Sequence, residues 1–398
     1  MTNELFGPVS APDEHVRELA REHHLRLTKP TGALGRLEEL GVWVSACQGE
    51  CPPRALDDCR VIVFAGDHGI ARHGVSAYPA EVSIQMHANI VAGGAGVNAI
   101  ASTHGASVRS VDISLDHDVP ADGAGADSKD ARYRVRRASG SIDREDAMSD
   151  EEVRRALEIG IRLADEAVDE GADLLIAGDL GIGNTTISAT LIGAATGSEP
   201  VVVVGRGTGI DDEGWKRKTA AVRDAMFRVR RLRNDPVEVL RRASSPDIAA
   251  MAAFLAQAAV RRTPVILDGA VVTSAALFAD QLAPGARAWW VAGHRSAEPA
   301  HAIALKHLGL EPLLDYGMRL GEGSGAVAAL PMVKAAVSIL RDMSTFDSAG
   351  VSDKGSDSGT PAREPASSAA EAGADATVPS PGDRPGHREG GEQPSQRD

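Results

Sequence analysis

Short apolar runs alternate along most of the chain with longer segments whose apolar residues recur at helical spacing. The runs end in turns rich in glycine and polar residues, as buried strands do, and the longer segments predict helices. This repeated alternation predicts an α/β fold, with a mainly parallel sheet flanked by helices and joined by right-handed crossovers. The strand-like runs are 60–66, 106–114, 173–178, 263–267, 286–293 and 312–314.

The turns after these runs carry most of the polar residues that a reaction would need. Because the carboxyl ends of parallel strands lie at one edge of a sheet, we expect the turns to meet there and form a ligand site. The turn residues expected to converge are Asp67, Asp179, Gly207, Asp268, His294 and Glu322.

The glycine-rich stretch 315–326 is the strongest candidate for a site. It follows the short run 312–314 and precedes an apolar segment, 326–340, that predicts a buried helix. Glu322 lies in this stretch between two glycines, which let the backbone approach a ligand closely and leave the carboxylate with little cover. Glu322 is therefore either a catalytic carboxylate or an acidic residue stabilised by the helix dipole at a helix start.

A second glycine-rich turn, 179–186, opens a helix predicted over 187–195. Gly181 and Gly183 bring backbone N–H groups forward, and Asn184 and Thr185 add side-chain donors at a helix N-terminus, which suits a phosphate group. The turn matches neither of the common nucleotide-binding glycine motifs, and an ordinary turn with a helix cap is the alternative interpretation.

Three further groups have both a functional and a structural interpretation. The Val-rich run 200–204 repeats the strand-and-turn pattern, with Gly207 in the turn after it. Lys218 is either a phosphate contact or a lysine on a helix surface. Asp67 and His68 follow the first strand, and they either contact a metal or substrate or simply stabilise a turn.

Composition narrows the choice of partner. The chain has 398 residues, 43% of them hydrophobic, and a formal charge of −14. This charge argues against nucleic acid or a membrane surface as a partner, but it allows a phosphorylated small molecule, which needs only a local nest of N–H groups. The N-terminus does not resemble a signal peptide, and no long apolar run predicts a membrane span.

Cysteine usage points to the compartment. Three cysteines, Cys47, Cys51 and Cys59, are too few and too irregular for a disulfide framework, which indicates a reducing environment. Since no nearby histidine completes a usual zinc pattern, no metal is expected. The sequence therefore predicts a cytoplasmic protein.

Composition also divides the chain. Residues 1–345 are predicted to form the folded part, and 116–130 to form a surface loop within it. Beyond it, 346–398 is dominated by small, polar and charged residues, which predicts a disordered low-complexity tail.

Seven motifs, taken in order, make the chain resemble the nicotinate-nucleotide:dimethylbenzimidazole phosphoribosyltransferase family of cobalamin synthesis. The resemblance covers about residues 25–340, and the order of the motifs makes it specific although each motif alone is not. The motifs are 29–38, 65–69 with 74–79, 181–186, 207–209, 267–269, 293–299 and 321–325.

The resemblance implies a reaction and an assembly. Ribose 5-phosphate would pass from nicotinate mononucleotide to 5,6-dimethylbenzimidazole, giving α-ribazole 5′-phosphate and nicotinate without a cofactor or metal. The subunits would form a homodimer, each with a small helical part built from about residues 1–50 and 326–345.

The resemblance also implies roles for particular residues. Glu322 matches the family's catalytic base, and Asp179 stands where some members have glutamate, which leaves open whether it acts as a second catalytic carboxylate. The implied phosphate-binding residues are Gly181, Gly183, Asn184, Thr185, Gly207 and Lys218, and the implied base-binding residues are Ser83, Gln85, Met86, Leu180 and Leu320. Asp67, His68, Asp268 and His294 are further candidates from the turns alone.

Two other functions would use the same features. An N-ribosyl hydrolase would use the same carboxylates with water as the acceptor. A non-catalytic nucleotide- or azole-binding protein would keep the phosphate loop but would have no use for Glu322.

Overall fold

The computed structural model describes residues 5–118 and 131–352, which are built around one six-stranded sheet. The strands are β1 (Cys59–Gly66), β2 (Ala106–Ser114), β3 (Leu174–Leu180), β4 (Val265–Leu267), β5 (Trp290–His294) and β6 (Pro312–Leu314). Their order is β2-β1-β3-β4-β5-β6, and all neighbouring pairs are parallel. The predicted α/β fold with a mainly parallel sheet is confirmed.

Fourteen α-helices in the described part of the chain pack against this sheet and against one another. They are α1 (Glu14–Arg26), α2 (Arg36–Gln48), α3 (Glu81–Val91), α4 (Gly96–His104), α5 (Asp150–Asp169), α6 (Asn184–Thr196), α7 (Pro200–Val203), α8 (Asp212–Val229), α9 (Pro236–Ala243), α10 (Pro246–Val260), α11 (Ala270–Leu282), α12 (Pro299–Leu308), α13 (Ser324–Asp342) and α14 (Phe346–Ala349).

The strand register brings the functional turns to one edge of the sheet. Ala65, near the end of β1, lies opposite Leu180 at the end of β3. His294, the last residue of β5, lies opposite Leu314 at the end of β6. Because these strands are parallel, the turns that follow all leave the sheet on the same side.

Two predictions about secondary structure were wrong. The Val-rich run at 200–204 forms the short helix α7 instead of a strand, because Pro200 begins a helical turn in which its missing N–H is not needed. The disordered tail was also predicted to start too early, at residue 346, because residues 346–349 form the short helix α14. Thr345 caps this helix by accepting a hydrogen bond from the Ser348 N–H at 3.1 Å. The rest of the predicted tail, 353–398, and most of the predicted loop, 119–130, lie outside the described residues.

The two ends of the described chain meet in a group of three helices. Helices α1 and α2 pack on α13, and the Thr28 N–H donates to the Ser344 carbonyl at 3.0 Å. Lys29, which is buried, pairs with Glu38 at 2.9 Å. The small helical part expected from about 1–50 and 326–345 has these contacts, and its status as a separate domain stays a prediction.

Helix α13 alone among the described helices is long and apolar enough to cross a membrane by length and composition. However, 56% of its apolar window is buried inside the protein, against β5, α2 and α4. We therefore interpret α13 as a core helix that begins at the site edge of the sheet.

Helix α5 depends on one glycine for its packing against α10. Gly160 faces the carbonyl oxygen of Ala250, and a Cβ added at Gly160 would overlap that oxygen. The two helices therefore approach closely only because position 160 has no side chain.

We expect Gly160→Ala to lower the free energy of unfolding by about 1–3 kcal/mol, because overpacking outweighs the better helix propensity of alanine. Thermal unfolding followed by circular dichroism would show a lower Tm. Glu158→Ala, an exposed change on the same helix, is the matched control and should leave Tm nearly unchanged. A Gly160→Ala protein as stable as the wild type would contradict this view of the interface.

Candidate active site

A cleft of about 500 Å³ lies at the carboxyl edge of the sheet. Its walls come from the turns after β3, β4, β5 and β6, from the Gly207 loop, and from α3. The lining residues include Tyr78, Val82, Met86, Asp179, Leu180, Gly181, Ile182, Asn184, Thr185, Gly207, Val271, His294, Ser296, Glu298, Arg319, Leu320 and Glu322. Of the turn residues expected to converge, Asp179, Gly207, His294 and Glu322 line this cleft.

Glu322 occupies a constrained turn at the floor of the cleft. Its backbone has φ 65°, a left-handed conformation that costs a non-glycine residue free energy and persists only where surrounding contacts enforce it. Its N–H donates to the Asp179 carbonyl at 3.1 Å, and its Oε2 accepts from the Val97 N–H at the start of α4, also at 3.1 Å. Its other oxygen, Oε1, accepts no hydrogen bond from the described residues, so it is available to a ligand.

The environment of Glu322 favours a carboxyl group that can exchange a proton. Burial raises the pKa of Glu322 above its usual value, the Val97 N–H opposes this rise, and the nearby Asp268 carboxylate adds to it. A raised pKa brings a carboxylate closer to the strength that a general base needs near neutral pH.

Asp268 holds the Glu322 turn from behind. Its Oδ2 accepts from the Gly323 N–H at 3.2 Å, and its Oδ1 accepts from the N–H groups of Gly325 and Ala326 at 2.8 and 2.9 Å. These donors lie at the start of α13, where N–H groups have no partners within the helix. Asp268 is fully buried and does not line the cleft. It therefore stabilises the turn and does not contact a ligand in the cleft.

A phosphate-sized group of donors lies at the start of α6. Gly183 is the N-cap residue, with φ 99°, and Asn184 and Thr185 form the first turn of the helix. Lys218 of α8 is fully buried, and its Nζ donates to Thr185 Oγ1 at 2.8 Å. A Cβ added at Gly207 would lie 3.1 Å from Lys218 Nζ, so this glycine keeps a side chain from crowding the buried ammonium group.

The ammonium group of Lys218 loses its proton more readily than that of an ordinary lysine. Burial lowers its pKa to about 8, and the Glu298 carboxylate opposes this shift. A buried ammonium beside a helix N-terminus and glycine N–H groups is an arrangement that suits a phosphate ester, whose charge would compensate the lysine. Of the six residues predicted for phosphate binding, Gly181, Asn184, Thr185 and Gly207 line the cleft, Gly183 caps α6 and Lys218 contacts Thr185. Their role in phosphate binding stays a prediction.

Asp179 differs from Glu322 although both carboxyl groups lie in the cleft. Its pKa is raised well above the usual value by burial and by the carboxylates of Asp268, Asp247 and Glu322, with His68 opposing. Its Oδ2 accepts from Asn184 Nδ2 at 2.7 Å. Asp179 thus accepts a hydrogen bond from Asn184, and burial and the neighbouring carboxylates disfavour its charged form.

The predicted base-binding residues divide into two groups. Met86, Leu180 and Leu320 line the cleft, as predicted. Ser83 is instead fully buried and accepts from the Ile182 N–H at 3.0 Å, and Gln85 is exposed outside the cleft lining. The physical reason is helix periodicity, since residues four apart share a face.

The sequence already contained that signal, because Val82 and Met86 share one side of α3. Val82 and Tyr78 are therefore cleft residues that were missed. Glu298 and Arg319 were missed too: Glu298 Oε1 accepts from the Gly207 N–H at 2.9 Å, and Arg319 Nη1 donates to the Gly207 carbonyl at 2.8 Å. Nothing in their local sequence indicates this shared partner.

Three histidine and aspartate candidates occupy different positions. His294 is buried at the cleft wall, with Nε2 3.3 Å from Asp268 Oδ1. Asp67 and His68 are buried and do not line the cleft. Asp67 Oδ2 accepts from the Asp116 N–H at 2.8 Å, so that residue stabilises its own turn region.

No group of three or more His, Cys, Asp and Glu side chains within residues 5–118 and 131–352 is arranged to hold a metal ion. A larger groove of about 850 Å³ lies at the far ends of α6 and α8, but its lining includes no carboxylate and no glycine loop. The cleft at the sheet edge, where the Asp179 and Glu322 carboxyl groups lie near the donors at the start of α6, is therefore the candidate active site.

The chain belongs to the phosphoribosyltransferase family, whose family model matches residues 9–351. It is thus a pentosyltransferase by family, in agreement with a cleft that can hold a phosphorylated sugar beside a carboxylate. The resemblance drawn from the sequence motifs is confirmed.

Individual relatives show which proteins of this family the chain is similar to in sequence and structure. The chain is 64% identical over 348 residues to the nicotinate-nucleotide–dimethylbenzimidazole phosphoribosyltransferase of Corynebacterium efficiens, covering 87% of this chain and 92% of that one. It is 62% identical to the protein of that name from Mycolicibacterium paratuberculosis, covering 87% and 98%. The crystal structure of the Thermus thermophilus enzyme of that name is similar with a TM-score of 0.79 and 41% identity, covering 86% of this chain and 99% of that one.

Proposed function

We propose that this enzyme transfers ribose 5-phosphate from nicotinate mononucleotide to 5,6-dimethylbenzimidazole. The products are nicotinate and α-ribazole 5′-phosphate, and the reaction serves cobalamin synthesis. The observation that carries the proposal is the cleft itself: it is lined by Glu322, which has an unoccupied carboxylate oxygen, by Thr185, the hydrogen-bond partner of Lys218, and by an apolar wall. The names of the relatives support the choice of substrates.

The reaction requires two functions from the cleft, which are proton acceptance and positioning of the ribose. The bond between ribose C1 and the pyridinium nitrogen breaks, and its electron pair neutralises the ring, so the leaving nicotinate needs no proton. One benzimidazole nitrogen forms the new bond to C1, and the other nitrogen must then lose its proton. Glu322 accepts that proton, which is general base catalysis, whereas the phosphate site only positions the ribose.

The residues around Glu322 suit a flat apolar acceptor. Met86, Leu180, Leu320 and Val82 supply apolar surface in the same cleft. The raised pKa of Asp179 disfavours a second negative charge beside the Glu322 carboxylate.

The pH dependence of kcat/KM for nicotinate mononucleotide should show the deprotonation of Lys218. Its ammonium form binds phosphate, so kcat/KM is expected to fall as pH rises through about 8, the lowered pKa of this lysine. In Lys218→Arg the guanidinium stays charged, and the falling limb should move to higher pH even if activity is reduced. An unmoved falling limb in this variant would show that another group titrates there.

Product identification tests the proposed reaction. Purified enzyme would be incubated with nicotinate mononucleotide and 5,6-dimethylbenzimidazole, and the mixture analysed by mass spectrometry and proton NMR. We expect a new ribosylated benzimidazole phosphate with α configuration, formed in equal amount to nicotinate. Failure to form any ribosylated benzimidazole would refute the proposal.

We further propose that the enzyme is a cytoplasmic homodimer. Large apolar side chains around the cleft support an interface there, since Tyr78, Tyr316 and Leu320 are 55%, 75% and 57% exposed. Sedimentation equilibrium would test the dimer, and cell fractionation the location. A monomer at micromolar concentration would contradict the proposed interface.

A further inference from the structure

Ile182, in the middle of the phosphate loop, is held on both sides by side chains that do not line the cleft. Its N–H donates to Ser83 Oγ of α3 at 3.0 Å. Its carbonyl lies 3.0 Å from Nδ1 of His68, which follows β1. Both side chains are buried, Ser83 fully and His68 to within 3%. Two consecutive peptide units of the loop are therefore fixed by hydrogen bonds to side chains outside the cleft lining.

The partners of His68 determine where its protons are. A carbonyl oxygen only accepts hydrogen bonds, so Nδ1 must carry a proton to bond Ile182. Nε2 lies 3.3 Å from Asp247 Oδ2, and a carboxylate also only accepts. With Asp247 ionised, both ring nitrogens are protonated and His68 is an imidazolium cation.

The surroundings favour this charge distribution. Asp247 lies in the first turn of α10, where the helix dipole stabilises a carboxylate. The other acidic group that acts on His68 is its neighbour Asp67. Burial by itself would lower the pKa of His68, but Asp247, the Ile182 carbonyl and Asp67 together raise it above its usual value.

The contact with His68 also sets the direction of a loop donor. The peptide unit between Ile182 and Gly183 is planar and trans, so its carbonyl and N–H point in opposite directions. With the carbonyl directed at His68, the Gly183 N–H points away from it and donates to no acceptor in the described residues. This N–H is thus free for an anion at the start of α6.

We propose that His68, kept as an imidazolium by Asp247, is a positioning residue that acts with Ser83 to fix the phosphate loop for nicotinate mononucleotide. The inference rests on the proposed function, since it assigns the phosphate of that substrate to this loop. His68 touches no substrate; it orients the Ile182–Gly183 peptide and places a positive charge beneath the loop. The effect should therefore fall on the binding of nicotinate mononucleotide, and hardly on the acceptor base.

Steady-state kinetics of three variants test this role. His68→Ala should raise KM for nicotinate mononucleotide by about tenfold or more, because the half-buried Ile182 carbonyl loses a charged donor. His68→Asn should be milder, since its amide can still donate to that carbonyl. Asp247→Asn should raise the same KM, and KM for the base should change little in all three. Leu163→Ala, a buried change in α5, controls for general destabilisation and should leave both KM values unchanged.

Nitrogen NMR of histidine-labelled enzyme provides a readout that a purely structural role would not move. We expect the His68 ring, identified by its loss in His68→Asn, to have both nitrogens protonated in the wild type and only one in Asp247→Asn. A neutral His68 ring in the wild type, or an unchanged KM for nicotinate mononucleotide in His68→Ala and Asp247→Asn, would overturn the proposal. A wild-type enzyme that does not use nicotinate mononucleotide would refute the proposed function itself, which is a distinct result.

Discussion

Glu322→Gln is expected to lower kcat for ribosyl transfer by about 10²-fold or more, with little change in KM for nicotinate mononucleotide. The amide keeps the size of the side chain and can still accept from the Val97 N–H, so the turn should remain folded. It cannot take the proton that the benzimidazole loses as the new bond to C1 forms. The loss should therefore appear in the chemical step, measured by single-turnover formation of ribosylated base.

Asp179→Asn is the matched control for Glu322→Gln. The raised pKa of Asp179 disfavours its charged form, and asparagine has nearly the same shape and can still accept from Asn184. We expect a much smaller loss of kcat than in Glu322→Gln. The opposite ranking of the two variants would transfer the role of base to Asp179, and near-normal turnover of Glu322→Gln would remove it from Glu322.

Lys218→Met should raise KM for nicotinate mononucleotide by about 10- to 100-fold, since a charged hydrogen bond to the phosphate is worth roughly 1.5–3 kcal/mol. Methionine fills the buried space left by the lysine stem, so the fold should be retained. Initial rates at saturating benzimidazole would measure the change.

Nicotinate riboside, which lacks the phosphate, is the matched substrate for Lys218→Met. The wild type should strongly prefer the phosphorylated donor, and most of that preference should disappear in the variant. A loss of kcat/KM that is equal for both donors would mean that Lys218 supports the fold of the cleft and not the phosphate.

Local sequence features were sufficient to predict much of the fold and part of the site. Each of the six strand-like runs overlaps one strand of the sheet, because a short apolar run that ends in a glycine turn is typical of a buried strand. Glu322 and the loop 181–185 were recognisable because glycines and polar donors follow strands directly. The run at 200–204 shows the limit, since valine content alone cannot separate a short strand from a helical turn.

The remaining parts of the site depend on contacts between distant segments. Asp268 and Gly323 are 55 residues apart, and His68 and Ile182 are 114 apart, so no spacing in the sequence reveals either contact. The raised pKa of Asp179 also depends on carboxylates from three other segments. Such properties arise only when the fold brings these groups together.

Release of nicotinate from nicotinate mononucleotide, measured with and without 5,6-dimethylbenzimidazole, tests most directly whether this enzyme is a transferase. Transfer requires the acceptor, so nicotinate should be released at a substantial rate only when the base is present, in equal amount to α-ribazole 5′-phosphate. Nicotinate release at the same rate without the base would show that water is the acceptor and that the enzyme is a hydrolase.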